Sequence, residues 1–150
     1  MAKKKRGTLP APLCKVILPC VQVIHDHFTN LYSIIGIFND YIVYQFPAEI
    51  GPYSLFLQLT NGHGHYEIAV EIQDLQSGKV IAKERISDVE LDDTLNTATL
   101  ILTIPKFQVT GPGRYDVLVL AGHQEIGKQT ITITEHEKEG GDAEDQEEAE

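Results

Sequence analysis

The segment that most restricts this chain runs from Gly111 to Ile133, Gly-Pro-Gly-Arg-Tyr-Asp-Val-Leu-Val-Leu-Ala-Gly-His-Gln-Glu-Ile-Gly-Lys-Gln-Thr-Ile-Thr-Ile. A Pro/Gly turn opens it, and an apolar strand begins at Tyr115. Gly122-His-Gln124 turns the chain, and a Thr/Ile strand returns. Short strands joined by such turns build β-sandwiches and barrels. The two return-strand isoleucines, Ile131 and Ile133, are out of phase with Ile126, which predicts a bulge at Gly127.

Period-two alternation continues upstream, and no convincing helical stripe interrupts it. Tyr66, Ile68, Val70 and Ile72 alternate with polar residues, as in a half-buried antiparallel strand. After a turn at Leu75–Lys79, Val80 to Ile86 returns as a charged strand with Lys83, Glu84 and Arg85, suited to a sheet edge. Tyr53 to Leu59 and Ala98 to Ile104 are two further alternating strands, ended by Asn61-Gly62 and by Pro105. Leu31 to Phe38 and Tyr115 to Ala121 are apolar at both parities. They read as central strands with outer faces that are either covered, by the apolar connection Tyr41–Pro47, or sticky. On the second reading Ile34, Phe38, Leu118 and Leu120 form an interaction surface. Pro19 interrupts the first strand, where the inward residues shift from Val16 and Leu18 to Val21 and Val23. That strand is expected to kink and to divide between the two sheets.

About seven to eight strands and a length of 150 residues fit one domain over residues 13–134, an all-β sandwich of two antiparallel sheets. Residues 1–12 form a basic segment with Lys3, Lys4, Lys5 and Arg6, and residues 135–150 an acidic one; both are expected to be flexible tails. Removing the +4 of residues 1–7 and the −8 of residues 135–150 from the net −10 leaves −6 on residues 8–134. An acidic core excludes duplex nucleic acid as the main partner, because neutralising phosphate needs a basic face. The basic segment is followed by the Pro-broken Gly7–Pro12 rather than an apolar run, so no signal peptide is read. Apolar runs are strand-sized, which argues against membrane insertion. Cys14 and Cys20 lie six residues apart in one strand, roughly 20 Å at ~3.3 Å per residue, beyond disulfide reach. Unbridged thiols suit a cytoplasmic location.

The Pro-Gly-Arg-Tyr-Asp-Val run at 112–117 resembles the start of the penultimate strand in immunoglobulin-like domains, where a tyrosine hydroxyl folds back on nearby backbone. Tyr115 takes that place. Val117 stands where an antibody domain has Cys, and the chain has no Trp, so only the immunoglobulin-like architecture carries over. More broadly, Cys14–Leu18, Ser33–Phe38, Phe46-Pro47, Leu57–Gly64 and Pro112–Val117 resemble a family of small uncharacterised bacterial β-sandwich proteins. That resemblance implies fold and bacterial origin. It implies no activity, cofactor or partner.

Candidate chemistry is sparse. His25-Asp-His27 and His63-Gly-His65 each set two imidazoles on one face of an extended strand. A metal needs three or four ligands, and no other ligand stands at suitable spacing, so exposed loop histidines are the expectation unless the two loops share one end of the sandwich. Asp88, Glu90, Asp92 and Asp93 could hold calcium loosely, but without fixed spacing they read as a solvated loop. Both cysteines read as small buried hydrophobes. No nucleophile elbow, phosphate loop or dinucleotide glycine pattern occurs. The expected function is therefore non-enzymatic, with no cofactor and no metal: a protein-interaction or structural module that binds another protein or itself. The alternative is a metal- or small-ligand-binding domain built on the His-rich or Asp-rich loops.

Overall fold

A computed structural model describes residues 11–92 and 95–136. In chain order the strands are β1 (Leu13–Cys20), β2 (Gln22–Asp26), β3 (Leu31–Ile35), β4 (Asp40–Val43), β5 (Ala48–Ile50) and β6 (Tyr53–Thr60). They continue with β7 (Gly64–Asp74), β8 (Val80–Leu91), β9 (Ala98–Ile104), β10 (Phe107–Val109), β11 (Gly113–Ala121) and β12 (Gln124–Glu135). A three-stranded sheet, β1-β6-β9, packs on a five-stranded one, β4-β12-β11-β7-β8. Two short pairs, β10-β5 and β2-β3, complete the described strands. The protein is an all-β sandwich of immunoglobulin-like architecture. Among the described residues the count of twelve strands exceeds the expected seven to eight because β2, β4, β5 and β10 form where the alternation pattern is too short to show a strand. One pairing departs from the antiparallel plan: β4 runs parallel to β12.

The core lies between the two main sheets. Leu55, Leu57, Leu59, Leu102 and Ile104 face Ile68, Val70, Ile72, Val117, Val119, Ile131 and Ile133, all essentially inaccessible. The Gly111 corner folds as expected: the Tyr115 hydroxyl donates to the Gly111 carbonyl at 2.9 Å. A bulge falls at Ile126–Gly127, where Val119 pairs with Gly127 and Leu120 with Glu125. Gly127 is also required by packing. A Cβ there would stand 2.9 Å from Cys14 Cβ and from Ile17 Cδ1, so glycine lets β12 close against β1.

Four sequence expectations are corrected. The phase of β1 changes between Cys14 and Val16, ahead of Pro19, so Cys14 and Ile17 face the core while Val16 and Leu18 pair with the outward Gln58 and Phe56. Beyond Cys20 the chain leaves the sheet for the separate β2–β3 pair and does not join the second sheet. Leu31–Phe38 is accordingly not a central strand: among the described residues β3 has β2 as its only ladder partner, and it is exposed at every second residue. The connection beginning at Tyr41 does not cover Leu118 and Leu120, because β4 lies in the plane of the sheet beside β12. By contrast β8, the charged strand, does lie at a sheet edge. Residues 1–10 and 137–150, which hold most of both expected tails, and Asp93 lie outside the described residues. Strand β12 itself continues to Glu135.

Candidate functional site

The β2–β3 hairpin is built by its turn. Asp26 accepts hydrogen bonds from the Phe28 amide and the Thr29 hydroxyl, each at 3.0 Å. These donors, the amide first, hold its carboxyl below the usual value. The Asn30 amide donates to the Asp26 carbonyl at 2.7 Å, and Asn30 takes the left-handed conformation (φ 62°) that asparagine tolerates. His25 Nε2 donates to Asn30 Oδ1 at 2.7 Å. At the base, the Val21 amide reaches the carbonyls of Ile35 and Gly36. Gly36 has φ 70°, and a Cβ on it would approach Val21 Cγ2 to 2.6 Å.

Each face of the hairpin has a distinct environment. Val23, His25, Tyr32 and Ile34 share the half-buried face. His25 stacks on Tyr32 (4.4 Å between centroids), and Tyr32 meets Phe56 edge-on at 5.7 Å. Phe56 lies on the outer side of the three-stranded sheet, in phase with Ser54 and Gln58, yet is buried. The hairpin is what covers it. The opposite face presents Gln22, Ile24 and Asp26 beside Ile35, Ser33 and Leu31. Leu31 is 65% exposed and Phe28 at the tip 99%; Val21, at the base beside Gly36, is 63% exposed. Asp26 is the sole charged side chain on this face, and its oxygens are engaged in the turn.

The four residues expected to form a single surface separate. Ile34 is on the covered side of the hairpin. Phe38 packs against the core, with its ring 5.2 Å from those of Tyr41 and Tyr53. Leu118 and Leu120 point outward from the five-stranded sheet and are half-buried. Leu118 stands between Lys128 and Glu71, and Leu120 between Glu125 and Ala69. Ion pairs span that face: Arg85–Glu67 at 2.9 Å, Lys83–Glu71 at 3.7 Å and Lys128–Asp116 at 4.0 Å. The aliphatic stems of such side chains shield the leucines. Buried Asp116 also accepts from the Thr130 hydroxyl at 2.7 Å. The larger apolar exposure is on the β2–β3 hairpin, which sequence reasoning missed. The available signal was Asp26–Asn30, a turn between two short strands.

The histidine pairs point to different uses. His27 lies edge-on to His25 at 4.8 Å. His63 donates from Nδ1 to the Asp92 carbonyl at 3.1 Å. His65 donates from Nδ1 to Asp88 at 2.6 Å, with Glu90 3.9 Å from its other nitrogen. The Asp88 contact raises the His65 pKa. Among the described residues no three His, Cys, Asp or Glu side chains gather where they could hold a metal ion. Both cysteines are free. Burial pushes the Cys14 thiol up to about 11 and raises Cys20 as well, so both stay protonated and unreactive near neutrality. Among the described residues no helix is long and apolar enough to cross a membrane.

Comparison with known proteins adds a family. No curated protein matches the chain. Among solved structures it is similar to the Pseudomonas fluorescens alkylpurine DNA glycosylase AlkC bound to DNA containing an abasic site analog, at 14% identity and a TM-score of 0.42. That match covers 64% of this chain and 28% of the glycosylase, so the chain spans under a third of the length of that protein. It is also similar to an immunoglobulin-like protein from Pseudomonas aeruginosa, at 10% identity and a TM-score of 0.38, covering 85% of this chain and 99% of the other. Residues 15–134 match the pattern of the family of unknown function DUF6941, and the chain belongs to that family.

Proposed function

We propose that the protein is a non-catalytic interaction module that engages another protein through the exposed face of the β2–β3 hairpin. The observation that carries this reading is the row Ile24, Leu31 and Ile35, with Phe28 at the tip and exposed Val21 at the base, left in solvent on a hairpin whose other face is half-buried. Contiguous exposed apolar side chains of this kind mark interaction sites. An aromatic at the tip is the residue type that anchors interfaces. The surrounding chain carries a net charge of −10, so the complementary partner is apolar at its centre and basic at its rim. Two free, unreactive thiols support a reducing compartment, and we assign the protein to the cytoplasm.

The test is co-purification from the native cell, comparing wild type with the double variant Phe28→Ser/Leu31→Ser. A partner captured by wild type, released by raised salt and absent from the variant at unchanged melting temperature supports the reading. Equal capture by both proteins overturns it.

A further inference from the structure

The four edges of the two main sheets are not equally protected. Edge strand β8 carries Lys83, Glu84, Arg85, Asp88 and Glu90 and two register shifts. Edge strand β4 is four residues long and begins with Asp40. Strand β1 has a register shift, Lys15 and Pro19, and it is closed against β12 at Gly127. Each uses a device that blocks further strand pairing. Strand β9, Ala98-Thr-Leu-Ile-Leu-Thr-Ile104, has none: its seven residues contain no charge and no proline, and its ladder to β6 is unbroken. Among the described residues, its backbone makes no hydrogen bonds beyond those to β6.

We propose that β9 pairs antiparallel with β9 of a second copy, about a two-fold axis at Ile101, joining two three-stranded sheets into one of six. The strand's own pattern selects this occupant. Centred on Ile101, the pairing sets Ile101 against its own copy and Thr99 against the second copy's Thr103 on the outer face. On the inner face it sets Leu100 against Leu102 and Ala98 against Ile104, continuing the apolar layer of the core. Every cross-strand pair is alike in character, and none brings charges together. Alternate residues of a seven-residue edge supply about six to eight new backbone hydrogen bonds. Ile101 is 40% exposed and flanks Phe56, so the pairing also covers apolar surface beside the hairpin. Both copies carry −10, so their wider repulsion opposes association, and screening by salt strengthens it. This is the opposite sign to the salt effect expected of a basic hairpin partner, so the two surfaces are separable.

Sedimentation velocity from about 10 µM to about 1 mM, the range for an interface at the small end of the size scale, tests the pairing. Wild type is expected to dimerise reversibly, more tightly at higher salt, with amide exchange in residues 98–104 slowing as concentration rises. Ile101→Lys sets two like charges together at the axis and is expected to weaken the dimer at least about tenfold without lowering the melting temperature. Mixing Ile101→Lys with Ile101→Glu is expected to restore a one-to-one heterodimer, which a merely misfolded variant would not do. A protein that stays monomeric at about 1 mM overturns the proposal, given that range. So does a dimer that survives Ile101→Lys, or one abolished by Phe28→Ser while Ile101→Lys leaves it intact.

Discussion

Two hairpins in this protein start from similar sequences and end in opposite environments. Both β11–β12 and β2–β3 contain a strand apolar at both parities, Tyr115–Ala121 in one and Leu31–Ile35 in the other. Strand β11 has a neighbour on each side, β7 and β12, and its inward residues meet the leucines of the opposite sheet. Of its outward leucines, Leu118 stands between the ion-paired Lys128 and Glu71, and Leu120 between Glu125 and Ala69. Among the described residues strand β3 has one neighbour, and it rests on the outside of a sheet through Tyr32 and Phe56. Among the described residues, the apolar side chains on its other side, Leu31 and Ile35, are exposed. The lesson is that a two-faced apolar strand is not thereby central. Its number of ladder partners, and the charge on those partners, decide whether its second face is shielded or available.

The largest effect should come from the buried hairpin. Ile131→Ala empties a fully packed position opposite Tyr115 and is expected to destabilise by about 2–5 kcal/mol in denaturant unfolding. A loss under half a kcal/mol would show that β12 is not closed over the core. Gly127→Ala forces a Cβ into Cys14 and Ile17 and should cost about 1–3 kcal/mol, with β12 amides exchanging faster. Tyr115→Phe removes the hydroxyl's bond to Gly111 and should cost about 1 kcal/mol, read as a lowered melting temperature. On the exposed hairpin the comparison inverts. Phe28→Ser, at a 99% exposed position, should change stability by no more than about 0.5 kcal/mol while abolishing partner capture. A large destabilisation there would mean that the tip is packed in solution. The smallest effect is electrostatic. The His65 pKa is raised by Asp88, so this pair stabilises the fold fully below the model-peptide value of 6.5, and that contribution disappears as pH rises through the higher folded-state value. The stability difference between wild type and Asp88→Asn should therefore shrink from pH 5 to pH 9, and a difference that grows with pH would reverse the assignment.

Much of the frame was legible because its signals are local. Alternation marked β6, β7 and β9, the charges of β8 announced a sheet edge, and the phase slip between Ile126 and Ile131 located the bulge at Gly127. The phase of β1 was misread for a related reason. Its slip lies between Cys14 and Val16, where nothing in the residue types marks a bulge, while the conspicuous Pro19 drew attention to the wrong place. The candidate surface was only half legible. The Asp26–Asn30 turn could be seen, but whether β3 joined a main sheet depends on partners distant in sequence.

What the sequence alone determined is the class of molecule: an all-β sandwich, its Tyr115 corner, and strands whose period-two pattern and turn residues are chemistry of neighbours along the chain. What the tertiary structure decided is which apolar faces remain uncovered. The hairpin lies outside both main sheets, Phe38 packs against the core, and among the described residues β9 has β6 as its one ladder partner. Ladder order and coverage are set by long-range pairing, whose free energy depends on which strands arrive side by side and not on any one strand's residues.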